Sequence, residues 1–294
     1  MPNSLKLADV LPDPTPVDNI SSLEQAEETA FNLYRETTIL VVVIASSYHG
    51  FAEDEFPLDR NQAILSGLLA RISKFMKVVI QLAAERANGE VIAALNRCVL
   101  ETSINMEYLV KSRDPELFNS YVESSLGPEK ELYDEIQSNI SARGGEHLPI
   151  EDRMIASIER SCRASGKTID QIDKKRGQWG VNLRERMKIL DKGDLYLHVQ
   201  RIGSHAVHGT WVDLKLSHIL EDGDTGKYRV RMRKRPDARL LTPTAILVLD
   251  SVSGYVDIAF EGVKEAKTVH DTIADLARRL IAFEEIHEVL FQKD

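Results

Sequence analysis

The residues best suited to chemistry are concentrated between Asp194 and Trp211, in the stretch DLYLHVQRIGSHAVHGTW. At roughly 100° per helical residue, His198, Arg201, Ser204, His205 and His208 fall within an arc of about 120°. Leu195, Val199, Ile202, Ala206 and Val207 take the opposite side. Gly203 lies among them, where a missing side chain would let another helix approach closely. Asp194 is a residue type suited to the N-cap and Gly209 to the position after the last turn, so the helix is bounded at both ends. Imidazoles move protons near neutral pH, and a guanidinium grips phosphate or carboxylate. Three imidazoles and a guanidinium on one face exceed what solvation requires.

A second pattern lies on an earlier helix, in NRCVLETSINMEYLV. Arg97, Glu101, Asn105 and Tyr108 form one stripe within roughly 80° of arc. Leu95, Cys98, Val99, Leu100, Ile104, Met106 and Leu109 surround it. Arg97 and Glu101 can pair at i, i+4, whereas Asn105 and Tyr108 need partners elsewhere, because buried polar groups without them are costly. The polar face of the 194–211 helix is the natural partner. Two uses remain open: a structural network in which Glu101 orients a histidine, or a pocket that binds or reacts. His205 and His208 with His198 and Glu101 could also hold a zinc-like ion, but the nearby arginine opposes a cation, and no metal site is expected.

The remaining concentration of charge is KYRVRMRKR. As a strand it sets Lys227, Arg229, Arg231, Arg233 and Arg235 on one face, with Tyr228, Val230 and Met232 on the other. Such a row suits a phosphate backbone, and equally a charged edge strand or an acidic partner surface. Gly166-Lys167-Thr168 has the ending of a phosphate-binding loop, but Ser161 stands where the first glycine is required and no strand precedes it.

The elements that must position these residues are nearly all helical. The chain has 294 residues, 43% hydrophobic, with 10 prolines and a net charge of −9. That composition supports a sizeable core and argues against a broad nucleic-acid-coating surface. Two cysteines, Cys98 and Cys162, fit a reducing cytoplasm. No secretory signal is visible, and the longest apolar run, Ile39 to Ala45, is far too short to cross a bilayer. We therefore expect a cytoplasmic protein without membrane contact.

Residues 1–20 read as a mobile arm or extended strap, and 21–294 as a single helical domain. A first helix opens at Ser21-Ser22 and runs to about His49-Gly50; its β-branched middle, ILVVVIA, would also suit a strand, but the flanks have helical spacing. Helices follow over 58–87, 90–112, 115–142 (with Gly127-Pro128 as a point of breakage) and 149–164. Residues 165–181 are irregular, and Asn182 caps a short helix to Leu190 ahead of the focal one. Turn chemistry at Glu221 to Gly226 and the alternation after it predict a small β-hairpin insertion near 219–236. Two more helices, 243–260 and 263–294, complete an all-α multi-helix bundle.

An Arg-x-x-x-Glu helix ending in Tyr-Leu (RCVLETSINMEYL), paired with a later Tyr…Ser-x-x-x-His-Gly segment (YLHVQRIGSHAVHG), resembles domain-of-unknown-function family 5677 over roughly residues 60–215. That family has no settled activity to carry over. Arg201 and His208 also satisfy the Arg-x(4–6)-His spacing of the HEPN ribonucleases, at its upper limit, with Ile202 where those motifs favour a polar residue. This weaker resemblance implies a dimerising helical bundle acting on RNA in phage defence or toxin–antitoxin systems, without metal or other cofactor. Metal-independent cleavage needs a base for the 2′-OH proton and a cation for the charge developing at phosphorus. His208 or His205 would serve as base or acid, Arg201 as the phosphate clamp and Glu101 as the orienter of an imidazole. Arg97, Asn105, Tyr108 and Ser204 would bind, together with Lys227, Arg229, Arg231 and Arg233. The partners would be RNA, a second copy of the chain, and an antitoxin or defence-system protein. The rival expectation is a non-catalytic helical module that binds a small ligand, nucleotide or protein through the same polar pocket.

Overall fold

The β-branched run at 39–45 is helical. In a computed structural model it forms the last third of α1 (Leu23–Ser47). Thr37 and Thr38 donate their hydroxyls back to the carbonyls of Leu33 and Tyr34, at 2.9 and 2.8 Å, so their polar atoms are satisfied inside the helix itself. Leu33, Leu40, Val41 and Ile44 are thereby free to be buried without a sheet to receive them. The structure describes residues 10–47, 58–172, 179–223, 226–232 and 236–291, and side chains at 198–202 and 291 are outside that description.

The other elements are α2 (Arg60–Ala84), α3 (Gly89–Ser112), α4 (Pro115–Ala142), α5 (Pro149–Ala164), α6 (Leu183–Ile189), α7 (Tyr196–His208), α8 (Trp211–Asp213), β1 (Ile219–Glu221), β2 (Tyr228–Val230), α9 (Ala238–Ala259) and α10 (Ala266–Phe291). The protein is an all-α bundle with one small antiparallel hairpin. None of the described helices is long and apolar enough to cross a membrane.

The span read from sequence as one helical domain divides by its contacts into two compact units. One comprises Met1–Lys111 and Arg186–Asp294; the other, Ser112–Glu185, is inserted between them in the chain. In the larger unit α1 packs on α2, α9 and α10, and α9 packs on α10. Polar ties pass through this core. The Tyr34 hydroxyl donates to Asn96 Oδ1 at 3.1 Å, and Asn96 Nδ2 donates to the Leu240 carbonyl at 2.5 Å, linking α1, α3 and α9. Burial pushes the Tyr34 phenol far above its ordinary pKa, so it stays a neutral donor. Another tie is an ion pair. Arg279 on α10 reaches Glu36 on α1 at 2.7 Å and Asp275 at 2.9 Å, and Glu36 is only 6% exposed.

The N-terminal segment, read from sequence as a mobile arm or an extended strap, is tied to the core at Thr15. Thr15 N–H donates to Glu36 Oε1 at 2.6 Å, and Arg279 donates to the Thr15 carbonyl. Its prolines leave few backbone donors, and the one at Thr15 is used to saturate a buried carboxylate.

In the smaller unit α4 and α5 form a helical hairpin around Leu126, Ile136, Ile140, Ile158, Cys162 and Ile172. The break anticipated at Gly127-Pro128 does not occur: Pro128 lies inside α4. Proline forfeits one helical hydrogen bond, and burial of Leu126 and Gly127 together with Ile136 and Ile140 holds both halves in line. Arg143 donates to Glu151 at 2.6 Å across the α4–α5 turn, and Trp179 meets Tyr121 edge to face with ring centres 4.9 Å apart.

A hairpin lies within the 219–236 span expected, and among the described residues its paired strands are Ile219–Glu221 and Tyr228–Val230. Ile219 pairs with Val230, Leu220 with Arg229 and Glu221 with Tyr228. The chain before it is not extended: residues 214–218 make a π-helical turn directly after α8. Replacing Arg279 by Ala would strand Glu36 as a buried, unpaired charge. We predict a loss of about 3–5 kcal/mol in urea unfolding; an unchanged midpoint would show that the pair contributes nothing.

Candidate functional site

The focal helix α7 begins later than its sequence suggests. Leu195 N–H donates to the Lys192 carbonyl at 3.1 Å, making a 3-10 turn over Gly193–Leu195. Asp194 sits inside that turn and does not cap α7. Gly209 ends the helix with φ 56°, a left-handed conformation that glycine adopts without strain.

Gly203 is buried against α3. A Cβ built on it would overlap the Arg97 Cβ and stand 2.8 Å from its Cγ and Cδ. Only glycine permits this approach, and the approach fixes Arg97. The guanidinium donates through Nε to Glu101 at 2.9 Å and through Nη1 to Ser204 at 2.6 Å. The polar stripe of α3 and the 194–211 segment therefore meet through Arg97 and Ser204. The stripe is half-buried, with Glu101 39% exposed at its side chain.

The other half of the stripe has a partner the sequence did not suggest. Arg186 on α6, 6% exposed, donates to Asn105 Oδ1 at 2.6 Å and stands 5.9 Å from the centre of the Tyr108 ring. The only signal was the unmet need of Asn105 and Tyr108.

His205 and His208 take no bond to Glu101 among the described residues and are placed by other neighbours or by solvent. His205 Nδ1 lies 2.8 Å from Thr210 Oγ1, and His208 is exposed at the end of α7. Among the described residues no hydrogen bond or ion pair joins Glu101 to either. The side chains of His198 and Arg201 lie outside the described residues. Among the described residues, no group of three His, Cys, Asp or Glu could hold a metal ion.

Of the basic row, Arg229 pairs with Asp222 at 2.9 Å, and Arg231 donates to the carbonyls of Ser217 and Leu216, closing the π-helical turn. Lys227 is described but lies outside the paired strand, and Arg233 is outside the described residues. Lys215, bonded to Glu221 at 2.7 Å, covers the Tyr228 ring, whose edge meets Trp211.

Beside Arg97 the larger unit opens a cleft of about 890 Å³. Ala93, Leu100, Leu240, Ile246 and Leu247 contribute apolar surface, and Leu195 and Leu216 stand exposed along it. Charged groups in its walls are paired. Lys192 bonds Glu107 at 2.6 Å and reaches Asp250 at 3.4 Å. Burial raises the Glu107 carboxyl above its ordinary range against the pull of Lys192. Burial also works against the Lys192 charge, but the bond and charge of Glu107 outweigh it and raise its pKa. At the start of α9, Asp237 accepts from the Arg239 backbone at 3.0 Å and from its guanidinium at 2.6 Å. Burial pulls the Asp237 carboxyl upward, but these bonds and the arginine charge outweigh it and hold it below the usual range. Sequence reasoning missed Lys192, Glu107, Asp237, Arg239 and the whole α9 wall, because none shows a periodic polar pattern.

A family model matches residues 62–227, from the first turn of α2 to the residue before β2. The chain belongs to the family of unknown function DUF5677. The match includes Arg97, Glu101, Arg186, Lys192, Gly203 and Ser204, while the α9 wall with Asp237 and Arg239 lies outside it. Comparisons with curated proteins and with solved structures gave no match.

Two outcomes follow from this geometry. Gly203→Ala should destabilise by about 1–3 kcal/mol, as overpacking does, while Gly209→Ala leaves the α3–α7 contact intact; equal unfolding midpoints for Gly203→Ala and the parent would refute the close approach. Asp237, with its folded pKa depressed, contributes stability that is present above its unfolded pKa of about 3.9 and is lost as pH falls through the lower folded value. In chemical unfolding followed from about pH 5 to about pH 2, Asp237→Asn should lack that part of the acid limb.

Proposed function

We propose that this member of DUF5677 is a helical binding module whose ligand is a small amphipathic molecule held in the cleft between α3, the segment leading into α7, and α9. The observation that carries the reading is the cleft itself: about 890 Å³, largely apolar, and bordered by a guanidinium fixed in position by Glu101 and Ser204. Ligand sites have this size and this mixture of apolar surface with a few oriented polar groups. The ion pairs of the walls suit binding better than catalysis, since Lys192, Asp237 and Arg239 are committed to one another or to near neighbours. The reading includes a reducing compartment such as the cytoplasm, which the free thiols of Cys98 and Cys162 support.

The test uses N-phenyl-1-naphthylamine, a neutral apolar fluorophore. Saturable binding to the parent is expected. Ile246→Trp, which fills the cleft from a half-buried position, should abolish it at an unchanged melting temperature. Non-saturable binding, or binding unaffected by Ile246→Trp and by Leu216→Glu, would sink the reading.

A second reading, a metal-independent ribonuclease of defence or toxin type acting as a dimer, is favoured by the exposed imidazole of His208 at the end of α7, seven residues after Arg201. Incubation of the protein with total RNA in EDTA separates the two. Cleavage that His208→Ala removes and Ile246→Trp leaves intact would move the function to the end of α7.

A further inference from the structure

We propose that the cleft selects an amphipathic monocarboxylate and that Arg97 reads its head group; the inference rests on the cleft being a ligand site. Arg97 spends Nε on Glu101 and one Nη1 proton on Ser204. A guanidinium has five N–H donors in a fixed fork. Among the described residues Nη2 donates to nothing, and Nη1 has a second proton, so both amino groups still hold donors for an entering carboxylate.

The other lining cations are committed differently. Arg239 turns Nε and Nη2 to Asp237, and Lys192 turns its ammonium to Glu107 and Asp250. The lining acids are each met by a cation: Asp237 by Arg239 at 2.6 Å, Asp250 by Lys192 at 3.4 Å and Asp191 by Lys111 at 3.7 Å. An entering anion therefore meets lining carboxylates that each have a cation within 3.7 Å, Asp250 sharing Lys192 with Glu107. Glu101 offsets part of the Arg97 charge, so a single negative charge is the most the guanidinium can balance. A phosphate monoester carries about −1.5 to −2 at neutral pH and would exceed it.

Anchorage of the guanidinium adds to the selectivity. The stem of Arg97 is pressed against Gly203 and its head is bonded at two nitrogens, so little rotamer freedom remains to be lost on binding. Apolar side chains of Ala93, Leu100, Ile246 and Leu247 then take the tail.

The experiment compares octanoate with 1-octanol, which share a chain length and differ at the head, as competitors of N-phenyl-1-naphthylamine. Octanoate should displace the fluorophore at about tenfold lower concentration than octanol, the size of one charge-assisted hydrogen bond. Arg97→Met, which keeps an apolar stem, should erase the difference by weakening octanoate about tenfold more than octanol. Ser204→Ala, which removes only the anchor, should narrow it, and it serves as the readout should Arg97→Met fail to fold. Equal displacement by both compounds in the parent overturns the head-group assignment while the cleft remains a ligand site. No fluorophore binding at all overturns both.

Discussion

The close approach of α7 to α3 at Gly203 is the constraint on which the candidate site depends. A glycine there brings backbone against the Arg97 stem, and the stem's path then brings its guanidinium within reach of Glu101 and Ser204. Burial alone would not fix a long side chain, which loses up to about 2 kcal/mol of rotamer freedom when ordered. Contact along the stem and two bonds at the head share that cost. Any side chain at position 203 would move α7, and with it the wall that carries Leu195.

Charge is handled the same way at several points of the larger unit: a titratable group that leaves the solvent is met by a partner from a distant part of the chain. Arg279 meets Glu36 and the Thr15 backbone, Lys192 meets Glu107, and Arg186 meets Asn105. Replacement of a buried ion pair by apolar residues is often neutral, so these contacts define position more than they stabilise. Glu107 shows the cost of such an arrangement: its Oε2 is buried with no hydrogen-bond partner among the described residues, and burial raises its carboxyl pKa despite Lys192.

The hairpin region illustrates how a pattern can be right in sequence and serve another end in space. Alternation of cations and apolar residues does form a strand at Tyr228–Val230. Yet Arg231 caps carbonyls of the π-helical turn and Arg229 pairs with Asp222 across the hairpin. Those two charges close local structure, while Val230 and Met232 on the alternate positions are left exposed.

Local information was enough for the elements and for the family. Helical periodicity located α1 to α5, α9 and α10, and turn residues with alternation located the hairpin; Gly209 ended α7 as glycine does, and the motifs around Arg97 and Ser204 sufficed to suggest DUF5677. These signals act over a few residues, where propensity, capping and period operate. The same locality explains the misses. Asp194 looked like a cap because residue type was legible, but the Lys192–Leu195 bond that displaces it was not. Pro128 looked like a break because its missing donor was legible, but the packing that offsets it was not. Only the tertiary structure decided that Arg186 serves Asn105, that Thr15 and Arg279 close on Glu36, and that α9 completes a cleft beside Arg97. Those partners are joined by packing across 81, 21, 243 and more than a hundred residues, and nothing in the local order of the chain encodes which distant side chain will arrive.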